Sequence, residues 1–304
     1  MNVAVTGATG FLGRYIVRHL AELGHRCRCW YRPGSNRSDF GEAAAEIDWV
    51  QGSLEAAESF PEFCRGIDGV VHSALFRPAG LGFRAAGQDA FAEFVRVNLL
   101  GSLALMHVAR SAGTGRVVFI STCAVHEMIL DDRPLDEAHP LWPVTHYGAH
   151  KAAIEKFIHA WGLGESWPIC ALRPTGIYGT ATPPNRSRWF DVVRRVSSGE
   201  AFHAERGGKE VHASDVARAV GILLNADTAR IAGQAFNCYD TYVAEKTVAE
   251  LAKEISGSGS EISGKDLAPK HQIDTSKLRA LGMCFGGQAL LRRTIEELVV
   301  ATKQ

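Results

Sequence analysis

The chain has no excess of charge of either sign. Lys and Arg together number 33 among its 304 residues, and Asp and Glu also number 33, so the formal net charge is zero. Proteins that bind nucleic acid carry a basic surplus that neutralises phosphates. The balanced charge therefore argues against nucleic acid as the main partner.

Long apolar runs and a basic leader are also lacking. A helix that spans a bilayer needs about 20 consecutive apolar residues, and no stretch of the sequence is expected to reach that length. The first apolar residues belong to a predicted strand rather than to a leader. The seven cysteines are odd in number and scattered, which favours reduced thiols over a disulfide framework. We expect a cytoplasmic protein with no membrane segment.

The most informative pattern lies in the first thirteen residues. A short apolar run from Val3 to Val5 is followed by Gly7, Gly10 and Gly13, and an amphipathic helix comes next. Glycines in such a turn let the backbone approach a pyrophosphate, whose charge is stabilised at the helix N-terminus. Because the glycines stand between a strand and a helix at the chain start, they predict a dinucleotide site.

Strand and helix patterns alternate through the first half of the chain. The predicted strands are Val3–Val5, Arg26–Tyr31, Ile47–Val50, Gly69–His72, Arg116–Ile120 and Pro168–Leu172. Such alternation predicts an α/β fold with a Rossmann-type doubly wound parallel sheet. We expect a nucleotide-binding domain over residues 1–175, with a returning strand near 234–240. Residues 176–304 are expected to form mainly a small, interleaved substrate-binding lobe.

A second pattern joins Tyr147 and Lys151, which are four residues apart on a predicted helix. Residues at this spacing share one helix face. A phenol holds its proton up to about pH 10, and a nearby ammonium favours the phenolate. Upstream, Ser121 and Thr122 end a predicted strand and offer hydroxyls to a substrate oxygen. The pair therefore indicates proton transfer at a carbinol or carbonyl oxygen.

With these residues the chain resembles the extended short-chain dehydrogenases/reductases, also called the NAD(P)-dependent epimerase/dehydratase family. The resemblance covers nearly the whole chain. It rests on residues 6–13, 69–74, Asn98, 147–151, 172–179 and 211–217. It implies an enzyme in which Tyr147 is the acid/base and Lys151 binds the nicotinamide ribose and lowers the tyrosine pKa. Thr122 aligns with the hydroxyl partner of the tyrosine, and Ser121 is the alternative.

The resemblance also implies which residues contact the dinucleotide. They are Gly7, Thr9, Gly10, Phe11, Leu12, Gly13, Tyr31, Arg32, Ser53, Leu54, Ala74, Asn98, Lys151, Pro174 and Thr175.

The end of the second predicted strand departs from the pattern of NAD-preferring members. Those members carry an acid there that binds the adenosine ribose, whereas residues 29–35 of this chain contain none. Arg32, helped by Ser35 or Arg37, could instead hold a 2′-phosphate. We therefore expect NADP in preference to NAD.

Two further departures concern the substrate. Family dehydratases carry an Asp-Glu pair directly after the threonine, but here Cys123 and Ala124 follow Thr122, which argues against a 4,6-dehydratase. Sugar-nucleotide members tend to have an arginine shortly before the segment matching Val211, where this chain reads Gly-Gly-Lys-Glu. The residues that could substitute are Lys209, Arg186, Arg188 and Arg194.

The main prediction is a Tyr-Lys-Thr enzyme that performs hydride-transfer chemistry on a carbinol or ketone carbon of a sugar or nucleotide-sugar, as an epimerase or a net dehydrogenase/reductase. The alternative is an NADP-dependent reductase or dehydrogenase of a non-nucleotide carbonyl compound or sugar acid. A third is a non-catalytic NADP-binding sensor. No metal is expected, since His146 and His150 have no evident third ligand. A homodimer through the helices of Asn98 and Tyr147 is possible within the family.

Overall fold

The computed structural model describes residues 1–77, 82, 85, 87, 88 and 90–303. The chain divides into two compact units, and its path returns from the second to the first. The first unit comprises Met1–Pro174, Val216–Cys238 and Ile273–Met283. The second comprises residues 175–215, 239–272 and 284–304.

The first unit is built on a seven-stranded parallel sheet. Its strands are β1 (Asn2–Thr6), β2 (Arg26–Tyr31), β3 (Ile47–Gln51), β4 (Gly69–His72), β5 (Arg116–Ile120), β6 (Ile169–Pro174) and β10 (Ala235–Cys238). The spatial order is β10-β6-β5-β4-β1-β2-β3. The order reverses direction beside β1, where Thr6 pairs with His72 of β4 and Val5 with Cys29 of β2. Ligands of such sheets bind at the carboxyl ends of the strands near this reversal.

Helices connect the strands of the first unit. They are α1 (Phe11–Glu22), α2 (Phe60–Cys64), α3 (Phe91–Phe94), α4 (Gly101–Ser111), α5 (His146–His159), α7 (Ala213–Asn225, which begins in the second unit), α8 (Thr228–Ile231) and α10 (Ser276–Arg279). Strand residues that point to one face, such as Val70 and Phe119, share a buried cluster with Leu105 of α4 and Ile154 of α5. Burial of this apolar face fixes the helices on the sheet.

The second unit is less regular. Its strands are β7 (Gly176–Tyr178), β8 (Phe202–Ala204), β9 (Gly207–His212), β11 (Thr241–Ala244) and β12 (Ile262–Gly264). They form a three-stranded sheet, β11-β9-β7, and a two-stranded sheet, β12-β8. Its further helices are α6 (Phe190–Ser197), α9 (Glu245–Ser256) and α11 (Gly287–Ala301), whose buried apolar residues pack together as one cluster.

The predicted fold class is confirmed, and the predicted strands recur within two residues at each end. One local expectation is wrong. The apolar run after Ser214 suggests that Asp215 caps a helix beginning at Val216. Helix α7 instead begins at Ala213, and the buried Asp215 carboxylate accepts the backbone N–H of Gly286 at 3.0 Å.

One helical segment contradicts the expectation that no stretch of the chain is long and apolar enough to span a bilayer. Phe91–Ser111 is long and apolar enough to cross a membrane by length and composition, with a mean hydropathy of 1.3. Its Val97, Leu105 and Met106 belong to the buried cluster on the sheet. A core helix of a globular unit passes the same test of length and composition, so the segment is weak evidence for a membrane span.

Candidate active site

The turn between β1 and α1 is as tight as its glycines suggest. Gly7 has a φ of +71°, which favours glycine, and a Cβ at Gly13 would lie 2.1 Å from the Gly7 carbonyl oxygen. A Cβ at Gly10 would lie 3.2 Å from the same oxygen. Only glycine at Gly7 and Gly13 allows this close path of the backbone.

The N-terminus of α1 is open to an anion. Gly10 is the N-cap and supplies no side-chain hydrogen bond to the first turn of the helix. The free N–H groups and the helix dipole there favour negative charge. Thr9 lies in the turn and Phe11 and Leu12 begin the helix, all three half-buried. These predicted cofactor residues are therefore grouped where a pyrophosphate would be held.

Thr6 ties the end of β1 to the end of β4. Its Oγ1 accepts the backbone N–H groups of Ser73 and Ala74, each at 3.0 Å, and lies 2.7 Å from His72 Nδ1. A Cβ at Gly7 would meet Ala74 N at 3.0 Å. The predicted contact residue Ala74 thus packs against the glycine turn.

The predicted adenosine region follows β2 and β3. Tyr31 ends β2, and the Arg37 guanidinium lies over its ring at 4.3 Å from the ring centre. Arg32 is exposed, and its backbone N–H donates to Ser35 Oγ at 3.1 Å. The three residues that could bind a 2′-phosphate are thus held in one short exposed segment.

Two further predicted adenosine contacts differ in burial. Ser53 is half-buried, and its Oγ accepts the N–H of Glu55 at 3.3 Å. Leu54 is buried in the core cluster, and its carbonyl oxygen would lie 2.6 Å from a Cβ on Gly101. Leu54 therefore packs on the start of α4 in addition to any contact with a ligand.

Asn98 lies in a π-helical stretch, Val95–Leu100, between α3 and α4. Its side chain is fully buried and bridges both backbone groups of Phe76: Oδ1 accepts the N–H at 2.7 Å and Nδ2 donates to the C=O at 2.9 Å. Asn98 therefore fixes the segment that follows β4.

Pro174 ends β6 and is buried, and Thr175 follows it directly. Thr175 Oγ1 is buried without a hydrogen-bond partner among the described residues. Buried hydroxyls normally have a partner, so the orphaned oxygen indicates a group that a ligand would satisfy. Within the first unit, the glycine turn and the uncapped N-terminus of α1 are residues that fit a dinucleotide.

Tyr147 and Thr122 are brought together. The Thr122 side chain lies within hydrogen-bonding reach of the Tyr147 phenol, and its Oγ1 accepts the N–H of Ala124 at 3.1 Å. Thr145 caps α5 by accepting the N–H of Gly148 at 3.1 Å, which fixes the helix start that carries Tyr147. Burial raises the pKa of Tyr147, and the bond from Thr122 opposes that rise.

Ser121 does not share this role. Its Oγ donates to Glu155 Oε1, so its proton is committed away from a substrate oxygen. The alternative assignment of Ser121 as a hydroxyl partner of Tyr147 is therefore corrected. Thr122 is the hydroxyl beside the phenol.

Lys151 is almost fully buried and points to the end of β5. Its Nζ donates to the Ile120 carbonyl oxygen at 2.7 Å and lies 4.3 Å from the centre of the Phe119 ring. Burial raises the pKa of Tyr147, and the lowering of that pKa by the Lys151 ammonium stays a prediction. Burial also lowers the pKa of Lys151 to about 7, and the charge of Glu155 opposes that fall.

Sequence reasoning missed the buried pair of Glu155 and Arg173. The Arg173 guanidinium donates from Nε to both carboxylate oxygens at 3.1 and 3.0 Å, and from Nη2 to Oε2 at 2.6 Å. The side chains are 4% and 5% exposed. The spacing of Glu155 four residues after Lys151 was the available signal.

Cys123 stands where family dehydratases carry an acid. Its Sγ donates to the Arg173 carbonyl oxygen at 3.0 Å, and burial raises the pKa of the thiol to about 12. Cys123 therefore stays protonated near neutral pH and cannot serve as a base at a second carbon.

The histidines flanking Tyr147 have structural surroundings. His146 Nδ1 lies 3.1 Å from the Gly87 carbonyl oxygen, and burial lowers the pKa of His150 to about 2. Within the described part of the chain, no group of three His, Cys, Asp or Glu residues could hold a metal ion.

Comparison with known proteins identifies the family of this chain. Residues 3–238 match the NAD dependent epimerase/dehydratase family. The chain belongs to this family. It is therefore an enzyme of the extended short-chain dehydrogenase/reductase type, and the family implies an NAD(P) cofactor.

Curated relatives have diverse activities. The chain is 33% identical to a 4-hydroxy-2-methyl-3-oxo-4-farnesyl-3,4-dihydroquinoline-1-oxide ketoreductase of Stigmatella aurantiaca, over 70% of this chain and 67% of the relative. It is 26% identical to a 3 beta-hydroxysteroid dehydrogenase/Delta 5→4-isomerase of Mycobacterium tuberculosis, over 63% of this chain and 51% of the relative. The chain thus spans about half to two thirds of these proteins.

Solved structures share the fold over nearly the whole chain. The UDP-glucose 4-epimerase of Thermotoga maritima, solved with UDP-glucose, has a TM-score of 0.80 and 21% identity, covering 100% of this chain and 99% of its own. The UDP-glucose 4-epimerase of Thermus thermophilus, solved with NAD, has a TM-score of 0.77 and 22% identity, covering 98% and 99%. At these identities the likeness establishes the fold alone.

Proposed function

We propose that this enzyme is an NADP(H)-dependent reductase or dehydrogenase that interconverts a ketone and a secondary alcohol on a substrate without a nucleotide diphosphate. The observation that carries the chemistry is the placement of Thr122 beside the Tyr147 phenol at the end of β5, with the buried Lys151 ammonium on the same helix as Tyr147.

The chain's own residues manage the substrate oxygen. Tyr147 gives its phenol proton to the oxygen when a carbonyl is reduced and takes it back when a carbinol is oxidised. Thr122 holds the same oxygen from its other side and stabilises the charge that develops on it. A bound nicotinamide supplies the two-electron oxidation or reduction of the adjacent carbon. Lys151 would hold the ribose of that cofactor.

The cofactor preference rests on the segment after β2. It carries Arg32, Ser35 and Arg37 and no carboxylate that could bind a ribose 2′-hydroxyl. Arginine forms strong charge-assisted hydrogen bonds with phosphate. We therefore propose NADP(H) as the preferred cofactor, with the 2′-phosphate held by Arg32 and Ser35.

The proposed substrate class follows from the segment before Val211. The family arginine is replaced there, and Glu210 is a buried carboxylate that accepts from Arg188 at 2.5 Å. A second candidate substitute, Arg194, lies 3.8 Å from Asp191 and 3.9 Å from Glu200. Because these cations already have carboxylate partners, they are poorly suited to hold a diphosphate. The relationship to a ketoreductase supports the same proposal.

A nucleotide-sugar epimerase is the second candidate, and the fold it shares with UDP-glucose 4-epimerases favours it. An assay distinguishes the two. Purified enzyme is offered NADPH with a panel of ketones, including quinone-like and steroid ketones, and separately UDP-glucose with NAD. Loss of NADPH absorbance with a ketone is the expected result. Interconversion of UDP-glucose and UDP-galactose without any NADPH-dependent turnover would contradict the proposal.

A further inference from the structure

The buried network behind Lys151 has a role beyond packing. Lys151 and Glu155 are four residues apart on α5, and both are buried, at 4% and 6% exposed. Side chains at this spacing lie on one helix face. A buried ammonium without an opposite charge loses its proton readily. The Glu155 carboxylate lies on the same helix face as the Lys151 ammonium, and its charge favours the protonated form of that lysine.

Both side chains are anchored at the same point of β5. Lys151 Nζ donates to the carbonyl oxygen of Ile120, and the next residue, Ser121, donates its hydroxyl to Glu155. Since the two anchors are adjacent in the chain, the ammonium and the carboxylate are held at one strand end. Both side chains are buried and anchored, unlike those of an exposed ion pair, which solvent screens and which lose side-chain entropy when they pair.

Arg173 fixes the carboxylate from the opposite direction. Its fork of hydrogen bonds occupies both oxygens of Glu155. The guanidinium is itself a buried cation, with a side chain that is 4% exposed. Removal of the Glu155 charge would therefore leave Arg173 without its paired carboxylate and Lys151 without the charge that opposes the effect of burial.

Other titratable groups near Lys151 do not supply that anion. Burial lowers the pKa of His72 on β4 to about 3 and that of His150 on α5 to about 2, so both are neutral near pH 7. Burial raises the pKa of Tyr147 and that of Cys123, which keeps both protonated. Glu155 supplies the charge that opposes the effect of burial on Lys151.

We propose that Glu155 is a positioning residue whose carboxylate, held by Ser121 and Arg173, increases the charged fraction of the Lys151 ammonium at the end of β5 near neutral pH. The inference rests on the proposed function, because Lys151 holds the cofactor ribose there. Glu155 itself is not a catalytic residue, since its contacts are with Ser121 and Arg173.

The test is the titration of Lys151 in the protein without cofactor or substrate. Lysine Cε is labelled with ¹³C, and the Lys151 resonance is assigned by its loss in Lys151→Arg. In Glu155→Gln, which keeps the shape of the side chain, we expect the midpoint to fall by about one pH unit or more. An unchanged midpoint in a folded Glu155→Gln protein would overturn the inference.

Glu137→Gln is the matched control. Glu137 lines the same cavity of about 410 Å³ as Glu155 and Arg173, and its backbone carbonyl accepts from Arg173 at 3.2 Å. Its carboxylate, however, accepts the N–H of Asn237. We expect Glu137→Gln to leave the Lys151 midpoint within a few tenths of a unit. An equal displacement in both variants would show a general response to lost charge and would contradict a specific role of Glu155.

A second variant covers the case in which Glu155→Gln does not fold. The double change Glu155→Met and Arg173→Met replaces the buried pair with apolar side chains of similar length, an exchange that is often tolerated. A lower Lys151 midpoint is again expected, and an unchanged one contradicts the inference. Because these titrations need no turnover, they fail or succeed independently of the proposed function, which the Tyr147 variants test.

With an identified substrate, the pH profile adds a second readout. At neutral pH, Glu155→Gln should have a lower kcat that recovers as the pH falls and Lys151 regains its proton, with little change in KM for the carbonyl substrate. A kcat lowered equally at every pH would indicate only structural damage and would count against the role.

Discussion

Each unit of the enzyme contains a buried glutamate paired with an arginine, and the two pairs differ in closure. In the first unit, Arg173 is 4% exposed and its hydrogen bonds occupy both oxygens of Glu155. In the second, Arg188 is 44% exposed and binds one oxygen of Glu210, while the other has no partner among the described residues. Burial raises the pKa of Glu210 to about 7.

The difference shows that the same two residue types, glutamate and arginine, can form a closed pair or leave one carboxylate oxygen unbonded. A closed bidentate pair holds its carboxylate in one position, and in the first unit that carboxylate, Glu155, lies on the same helix as Lys151. An open pair leaves a carboxylate that titrates near neutrality in the second unit. The residues of the proposed chemistry, Tyr147, Thr122 and Lys151, all belong to the first unit. The predictions below test this comparison of the two units in order of decreasing effect.

The largest expected effect is that of Tyr147→Phe. Loss of the phenol proton should lower kcat by about 10²–10⁴-fold, the usual range for a general acid or base. The matched control in the second unit is Tyr178→Phe, which removes a buried hydroxyl without a hydrogen-bond partner among the described residues. Turnover of the proposed ketone substrate measures both. Similar losses of kcat in the two variants would show that the loss is not specific to the tyrosine of the first unit. Full activity of Tyr147→Phe would refute the mechanism.

A smaller loss is expected at the partner of the tyrosine. Thr122→Val keeps the shape of the side chain and removes the hydroxyl beside Tyr147 that is proposed to hold the substrate oxygen, so kcat should fall by about 10²-fold. Thr122→Ser restores a hydroxyl and should recover most of the rate. Steady-state kinetics of the two variants gives the ratio. Equal rates for valine and serine would mean that the hydroxyl does not act on the substrate oxygen.

Cofactor choice should respond to Arg32. In Arg32→Ser, one charge-assisted bond to the 2′-phosphate is lost, and the preference for NADPH over NADH should fall about tenfold. Arg26→Ser is the control, because Arg26 is an exposed arginine at the other end of β2, with a side chain 81% exposed. Titration of both cofactors onto both variants measures the ratio. A preference that is unchanged in Arg32→Ser would remove Arg32 from the cofactor site.

The smallest effect concerns stability. Glu210 keeps its proton up to about pH 7 in the folded chain, whereas the ordinary value is 4.5, so the folded state binds more protons between these values. The Glu210 side chain therefore contributes most to the stability of the folded state at low pH, and this stability is lost as the pH rises through about 7. Glu210→Gln should have nearly the wild-type Tm at about pH 5 and a Tm higher by about 2 °C or more at about pH 8.

Glu200→Gln is the control for that experiment, because Glu200 is a half-exposed carboxylate 3.2 Å from Arg195. Its Tm difference from the wild type should not grow between the two pH values. If the Glu210 variant showed the larger gain at low pH, the assignment of a raised pKa to Glu210 would be wrong.

The regular parts of the fold could be predicted from the sequence. Buried parallel strands such as Arg116–Ile120 consist of apolar, β-branched runs, and Gly7 and Gly13 mark a turn that other residues cannot adopt. The second unit gave weaker signals, because a strand of three residues such as Phe202–Ala204 has no readable period.

Side-chain direction at the site was the part that sequence could not supply. Ser121 and Thr122 are adjacent hydroxyls, and only the position of Glu155 shows which of them is committed elsewhere. The burial that raises the pKa of Tyr147 and lowers that of Lys151 was equally unpredictable, because spacing on a helix indicates only a shared face.

The most direct test of the account is the identity and amount of nucleotide carried by the enzyme. Freshly purified protein is denatured, and the released nucleotide is identified and quantified by mass spectrometry. A reductase that exchanges its cofactor at each turnover predicts an empty protein or a substoichiometric amount of NADP(H). One tightly retained NAD(H) per chain would contradict that prediction, favour an epimerase with an internal redox cycle, and overturn the role proposed for Arg32.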